Sequence, residues 1–210
     1  MARILVVPGW RGSENGHWQR HLAESDPDAL LVEQEDWENP ILSEWLYTLE
    51  AHLAAAPGAV LVAHSLGAVL VAHLAARPSA QHVAGALLVA PADSARMARS
   101  DARFLSFAPI PREPLPFPSV VVASRDDPFM TLSTARSFAQ AWGSGFIDLG
   151  NAGHINPASG FGRWPEGETL ARDLANGWDP ERRPHAASPS LSSVAHAPIF
   201  SFGVNMASGS

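Results

Sequence analysis

The 210-residue chain has no cysteine, and its 14 basic residues are all arginine. Without cysteine there is no thiolate nucleophile, no disulfide framework and no Cys-ligated zinc or iron–sulfur centre. Without lysine there is no amine for a Schiff base and none for a phosphate-binding P-loop. Any covalent chemistry therefore falls to Ser, Thr, Asp, Glu, His or Tyr. Positive charge is scarce as well: the formal net charge is −7 and the arginines are scattered. Nothing clusters to neutralise phosphates, so no nucleic-acid partner is expected. Long apolar runs are also missing. The stretch Ile4 to Val7 stops at Pro8, too short for a signal-peptide core, and no run approaches a transmembrane length. These absences predict a cytoplasmic protein with no membrane partner.

What is present is an alternation. Short runs of Val, Ile, Leu and Ala recur at Ile4 to Val7, Ala29 to Val32, Val60 to Ala63, Ala86 to Val89, Val120 to Ala123 and Phe146 to Leu149. Longer segments of helical periodicity separate most of them, which predicts an α/β fold with a mostly parallel sheet. Between Ile41 and Ala55, residues Leu42, Trp45, Leu46, Leu49 and Leu53 form one stripe, with Asn39-Pro40 as the expected N-cap and first helical residue. Further helices are expected at His17 to Glu24, Leu66 to Ala76, Leu132 to Trp142 and Glu168 to Ala175. Pro91 to Pro118 holds six prolines interleaved with Phe104, Phe107 and Phe117. That composition suits an ordered loop capping something apolar. From Asp179 onward Ser, Ala, Pro and His dominate, so residues 1–179 are read as the folded domain and 180–210 as a flexible tail.

The chemistry lies where the third run meets its helix, at Ala63-His64-Ser65-Leu66-Gly67. Strand, tight turn and helix in that order make a nucleophile elbow, with small residues two before and two after the serine because backbones crowd there. Alanine stands at the first of those positions. The alternative is a serine that merely caps the following helix. A serine at its ordinary pKa needs a base, and that base an acid. Both candidates follow in hydrolase order, each after a predicted strand: Ser124-Arg125-Asp126-Asp127-Pro128, then Gly150-Asn151-Ala152-Gly153-His154. Asp127 is favoured over Asp126 because the residue before proline is held extended, which could turn its carboxylate toward the histidine. Asp126 remains the alternative. The oxyanion is expected to meet two backbone N–H groups: Leu66, and Trp10 or Gly9 from the loop Pro8-Gly-Trp-Arg-Gly-Ser13. His64 reads as a packed neighbour of the elbow. His17 and His21 have the spacing of a helical metal pair but no zincin glutamate between them, so no metal or cofactor is expected. Trp10, Phe104, Phe107 and Phe129 could line an acyl pocket or belong to the core.

Several strings in order resemble the small α/β-hydrolases typified by retinoblastoma-binding protein 9 and bacterial YdeN: Val7-Pro-Gly-Trp, Gly16-His-Trp-Gln, Glu35-Asp-Trp-Glu-Asn-Pro, Ala63-His-Ser-Leu-Gly, Leu88-Val-Ala-Pro-Ala-Asp, Phe107-Ala-Pro-Ile-Pro, Ser124-Arg-Asp-Asp-Pro and Gly153-His-Ile-Asn. The likeness spans about Arg3 to Ala175. It implies a minimal hydrolase sheet lacking the first antiparallel strands, and serine-hydrolase activity on esters. It places the nucleophile at Ser65, the base at His154 and the acid at Asp127. The resulting expectation is a three-layer α/β-hydrolase-like fold with six strands in the order 2-1-3-4-5-6. Its substrate would be a small-molecule carboxylic ester. An acyltransferase using the same residues and a protein-interaction module on a hydrolase scaffold are the other readings.

Overall fold

The structure is a computed structural model and describes residues 3–177. The tail expected over 180–210 lies outside the described residues. Six strands form one sheet: β1 (Ile4–Val7), β2 (Ala29–Leu31), β3 (Ala59–His64), β4 (Val83–Val89), β5 (Ser119–Ala123) and β6 (Gly145–Asp148). Their order is 2-1-3-4-5-6 and every neighbouring pair is parallel. The helices are α1 (Trp18–Ser25), α2 (Leu42–Ala55), α3 (Leu66–Leu74), α4 (Ser94–Met97), α5 (Leu132–Trp142) and α6 (Pro165–Ala175).

Side chains alternate across the sheet, and each set meets different helices. Leu5, Val7, Leu61, Ala63, Leu88 and Val121 pack with α2, α3 and α5 on one face. Ile4, Val6, Val60, Val62, Leu87, Val89 and Val122 pack with α1 and α6 on the other. The central strands β3 and β5 are therefore buried along their whole length, whereas the edge strands β2 and β6 are only half-buried. The continuous apolarity of β3 and β5 fits burial on both faces. Helix α3 is apolar on nearly every side because sheet and α2 enclose it; among its residues only His73 reaches partial exposure.

Two expectations need correction. Helix α2 starts at Leu42 with Ile41 as N-cap, not at Asn39-Pro40. Asn39 is engaged elsewhere: its backbone and side-chain N–H groups both donate to the Asp36 carboxylate, at 2.9 and 3.0 Å. Helix α6 begins earlier than expected, with Pro165 at its first position, where a missing N–H costs nothing. The proline-rich stretch is ordered, carrying α4 and a 3-10 segment over Ala102–Phe107, and it drives Phe104, Phe107, Ile110 and Phe117 into the core. Phe104 and Phe107 are thus core residues, not pocket lining; Phe107 packs edge-on to Trp45 at 5.6 Å. No helix among the described residues is long and apolar enough to cross a membrane.

Candidate active site

In an all-parallel sheet the loops that leave the C-terminal strand ends share one edge, and the strand order reverses between β1 and β3. From β1 toward β2 the connection runs one way, and from β3 toward β4 the other, the point at which open α/β sheets place their sites. Four candidate segments meet there or beside it: Pro8–Ser13 after β1, Ser65 after β3, Asp126–Asp127 after β5 and His154 after β6.

Ser65 adopts φ 55°, ψ −121°. A side-chain-bearing residue enters that region only when its surroundings impose it, at a cost of order 1–3 kcal/mol. Here β3 and α3 impose it, with the Ser65 N–H donating to Val89 O at 3.0 Å and Ser65 O accepting from Ala68 N–H at 3.1 Å. The Ser65 hydroxyl makes no cap bond to α3, so the simple capping role is not what it does. Gly67 is required by a different neighbour than the strand leading into the turn: a Cβ there would lie 2.4 Å from Val7 O and 2.5 Å from Pro8 O. Gly9 faces the same constraint from the other side, since its Cβ would lie 2.7 Å from the Ser65 Cβ.

His154 Nε2 lies 2.8 Å from Ser65 Oγ, and His154 Nδ1 lies 3.0 and 2.9 Å from the two Asp127 carboxylate oxygens. The two side chains are 8% and 3% exposed, so this ion-pairing geometry is shielded from water. Asp127 also accepts the Phe129 N–H at 2.8 Å, and the Phe129 ring packs on the imidazole at 4.4 Å between centroids. Asp126, the alternative acid, is turned elsewhere. Its Oδ1 accepts from Ser124 Oγ at 2.7 Å and from Gly153 N–H at 2.8 Å. Those two bonds, the hydroxyl first, hold its pKa below the usual aspartate value.

The Trp10 side chain is braced. Its indole N–H donates to Glu38 O at 3.0 Å, the Arg11 and Arg103 guanidinium groups lie over the ring at 4.3 and 5.0 Å, and Phe104 meets it edge-on at 5.2 Å. Among the described residues, neither the Trp10 nor the Leu66 backbone N–H donates to a protein acceptor. Unpaired donors beside a strained serine are what an oxyanion site requires. His17 caps α1, its Nδ1 accepting from Gln19 N–H at 3.2 Å. Burial lowers its pKa to about 4, with smaller contributions from His154, Arg20 and His21.

Spacing alone did not disclose the residues that hold the His154 loop. Ser124 Oγ accepts from Ala152 N–H at 2.9 Å, Ser159 Oγ accepts from His154 N–H at 3.0 Å, and Trp18 Nε1–H donates to Ile155 O at 2.9 Å. Buried Gln19 ties β1 to β3 by donating to Val7 O and Val62 O at 3.2 and 2.9 Å. Only Ser124, two residues before Asp126, carried a local signal.

The all-parallel sheet in the order 2-1-3-4-5-6, with helices on both faces, is that of an α/β-hydrolase. A model of the serine hydrolase family matches residues 4–173, and the chain belongs to that family. A YdeN-like hydrolase of Pectobacterium atrosepticum is 33% identical, over 83% of this chain and 90% of its own, with a TM-score of 0.74. The fold is shared more distantly by the ydeN product of Bacillus subtilis, 19% identical over 84% of this chain and 100% of its own, with a TM-score of 0.67. A Bacillus cereus carboxylesterase, 17% identical over 84% and 88% of the two chains, has a TM-score of 0.57. No curated protein matches.

Proposed function

We propose that this serine hydrolase cleaves small carboxylic esters by a Ser65–His154–Asp127 mechanism, its catalytic domain spanning residues 1–179. The observation that carries the reading is the unbroken hydrogen-bonded chain from Asp127 through His154 to Ser65 Oγ, with contacts of 2.9 and 2.8 Å. Asp127 holds the imidazole with its proton on Nδ1, which leaves Nε2 free to accept the Ser65 proton as Oγ attacks the ester carbonyl. The oxygen that gains charge is held by the N–H groups of Leu66 and Trp10. His154 then passes the proton to the leaving alcohol, and an acyl group remains on Ser65. Water, deprotonated by the same imidazole, releases the acid and restores the serine. Partly exposed Trp10 and Phe129 offer apolar surface beside these groups, which suits a small apolar acyl group.

The test is hydrolysis of p-nitrophenyl esters of graded chain length, with labelling by a fluorophosphonate probe, on wild type and Ser65→Ala. Loss of both signals in the variant, by about four orders of magnitude or more in kcat, is expected. Undiminished labelling of Ser65→Ala overturns the mechanism. Product analysis with a competing alcohol separates hydrolysis from acyl transfer.

A further inference from the structure

His64 stands immediately before Ser65, yet its ring is turned toward the loop that carries His154. The side chain is buried, and Nε2 lies 2.8 Å from the His154 backbone oxygen. A carbonyl can only accept, so His64 Nε2 carries the proton and donates it. The ring also packs tilted against the His154 imidazole, 4.8 Å between centroids, and edge-on to His17 at 4.9 Å and Trp18 at 6.0 Å. No regular secondary structure runs through residues 149–156, so the peptide carrying His154 depends on side chains from elsewhere. Among the described residues, of the side-chain bonds to peptide groups between Ala152 and Ile155, only the one from His64 comes from the turn that carries Ser65.

We propose that His64 is a positioning residue, coupling the location of His154 to that of Ser65 by donating its Nε2–H to the His154 carbonyl. The inference rests on the catalytic roles proposed above. A one-bond separation between Ser65 and His64 means that any displacement of the elbow is transmitted to the loop, and the Oγ–Nε2 contact keeps its length. The residue must remain neutral to do this, because a second cation would oppose the imidazolium that forms on His154. The titratable groups near the His64 ring are His154, backed by Asp127, on the loop, and His17 at the start of α1, with Arg20 and His21 behind His17. Burial first, then His154 and His17, hold the His64 pKa well below that of a free histidine.

His64→Gln retains an N–H donor of similar reach, and His64→Leu removes it while filling space. With p-nitrophenyl acetate, His64→Leu is expected to lose about 10- to 100-fold in kcat, the cost of a misplaced catalytic group, with KM little changed. His64→Gln is expected to recover most of that loss. The low-field NMR signal of the proton shared by His154 and Asp127 should broaden or shift in His64→Leu and return in His64→Gln. This signal is read on folded protein regardless of turnover. Three results overturn the proposal: a His64→Leu enzyme within twofold of wild type, equal losses in both variants, or an unmoved proton signal. Failure of the underlying mechanism looks different, since Ser65→Ala or His154→Ala would then keep turning over ester with His64 intact.

Discussion

The Ser65 turn and the His154 loop bring their side chains to 2.8 Å of each other by opposite means. Ser65 is placed by backbone: a buried strand enters, a buried helix leaves, and the residue between them is forced to a positive φ. His154 is placed by side chains: Ser124, Asp126, Ser159, His64 and Trp18 each bond one peptide group between Ala152 and Ile155. A turn held by secondary structure tolerates almost no change in backbone volume but little depends on any one side chain outside it. A loop held by five separate bonds tolerates volume changes better, and loses alignment one bond at a time.

The sharpest probe of this contrast is the aspartate pair. Asp127→Asn is expected to lower kcat by about 10⁴-fold, because an amide holds the imidazole in the wrong tautomer. Asp126→Asn keeps an oxygen that can accept from Ser124 and Gly153, so its loss should stay within about tenfold. Comparable losses in steady-state ester hydrolysis would break the assignment of acid and tether. Next in size is Gly67→Ala. Its methyl would press on two backbone carbonyls that cannot move aside, so unfolding by denaturant should show a loss of about 3 kcal/mol or more. A loss below about 1 kcal/mol would show that the elbow is looser than its backbone contacts indicate.

The smallest expected effect is a pH dependence on the loop side. His17 has an ordinary pKa of 6.5 when unfolded and about 4 when folded. Between those values the unfolded chain binds more protons, so stability present above about pH 6.5 drains as pH falls toward 4. The contribution is about 3 kcal/mol at most. His17→Asn keeps an N-cap acceptor for α1 and cannot titrate, so its denaturation curves at pH 7 and pH 4.5 should differ less than those of wild type by about that amount. An unchanged difference would remove His17 from the account.

The elbow was legible because its signals lie within a few residues: a run of buried β residues, a small-residue turn and an apolar helix. The strand order came with the family resemblance, and the order of the candidate Ser, Asp and His could be read directly along the chain. Edges were less so. Asn39-Pro40 looks like a helix start, and only the nearby Asp36 carboxylate, which takes the Asn39 donors, shifts the start to Leu42. Phe104 and Phe107 could not be assigned to pocket or core by spacing, because their neighbours Trp10 and Trp45 come from distant segments.

By itself the sequence determined the type of chemistry open to this protein. Lacking cysteine and lysine, it left a serine on a strand–turn–helix as the leading nucleophile candidate. The tertiary structure decided which aspartate faces His154, and that His64 reaches across to the His154 carbonyl. Those choices depend on pairs 27, 90 and 137 residues apart, such as Asp127 with His154, His64 with His154, and Trp18 with Ile155. Propensity and periodicity act over a few residues, whereas hydrogen bonds between segments exist only once the sheet has brought its strand ends together.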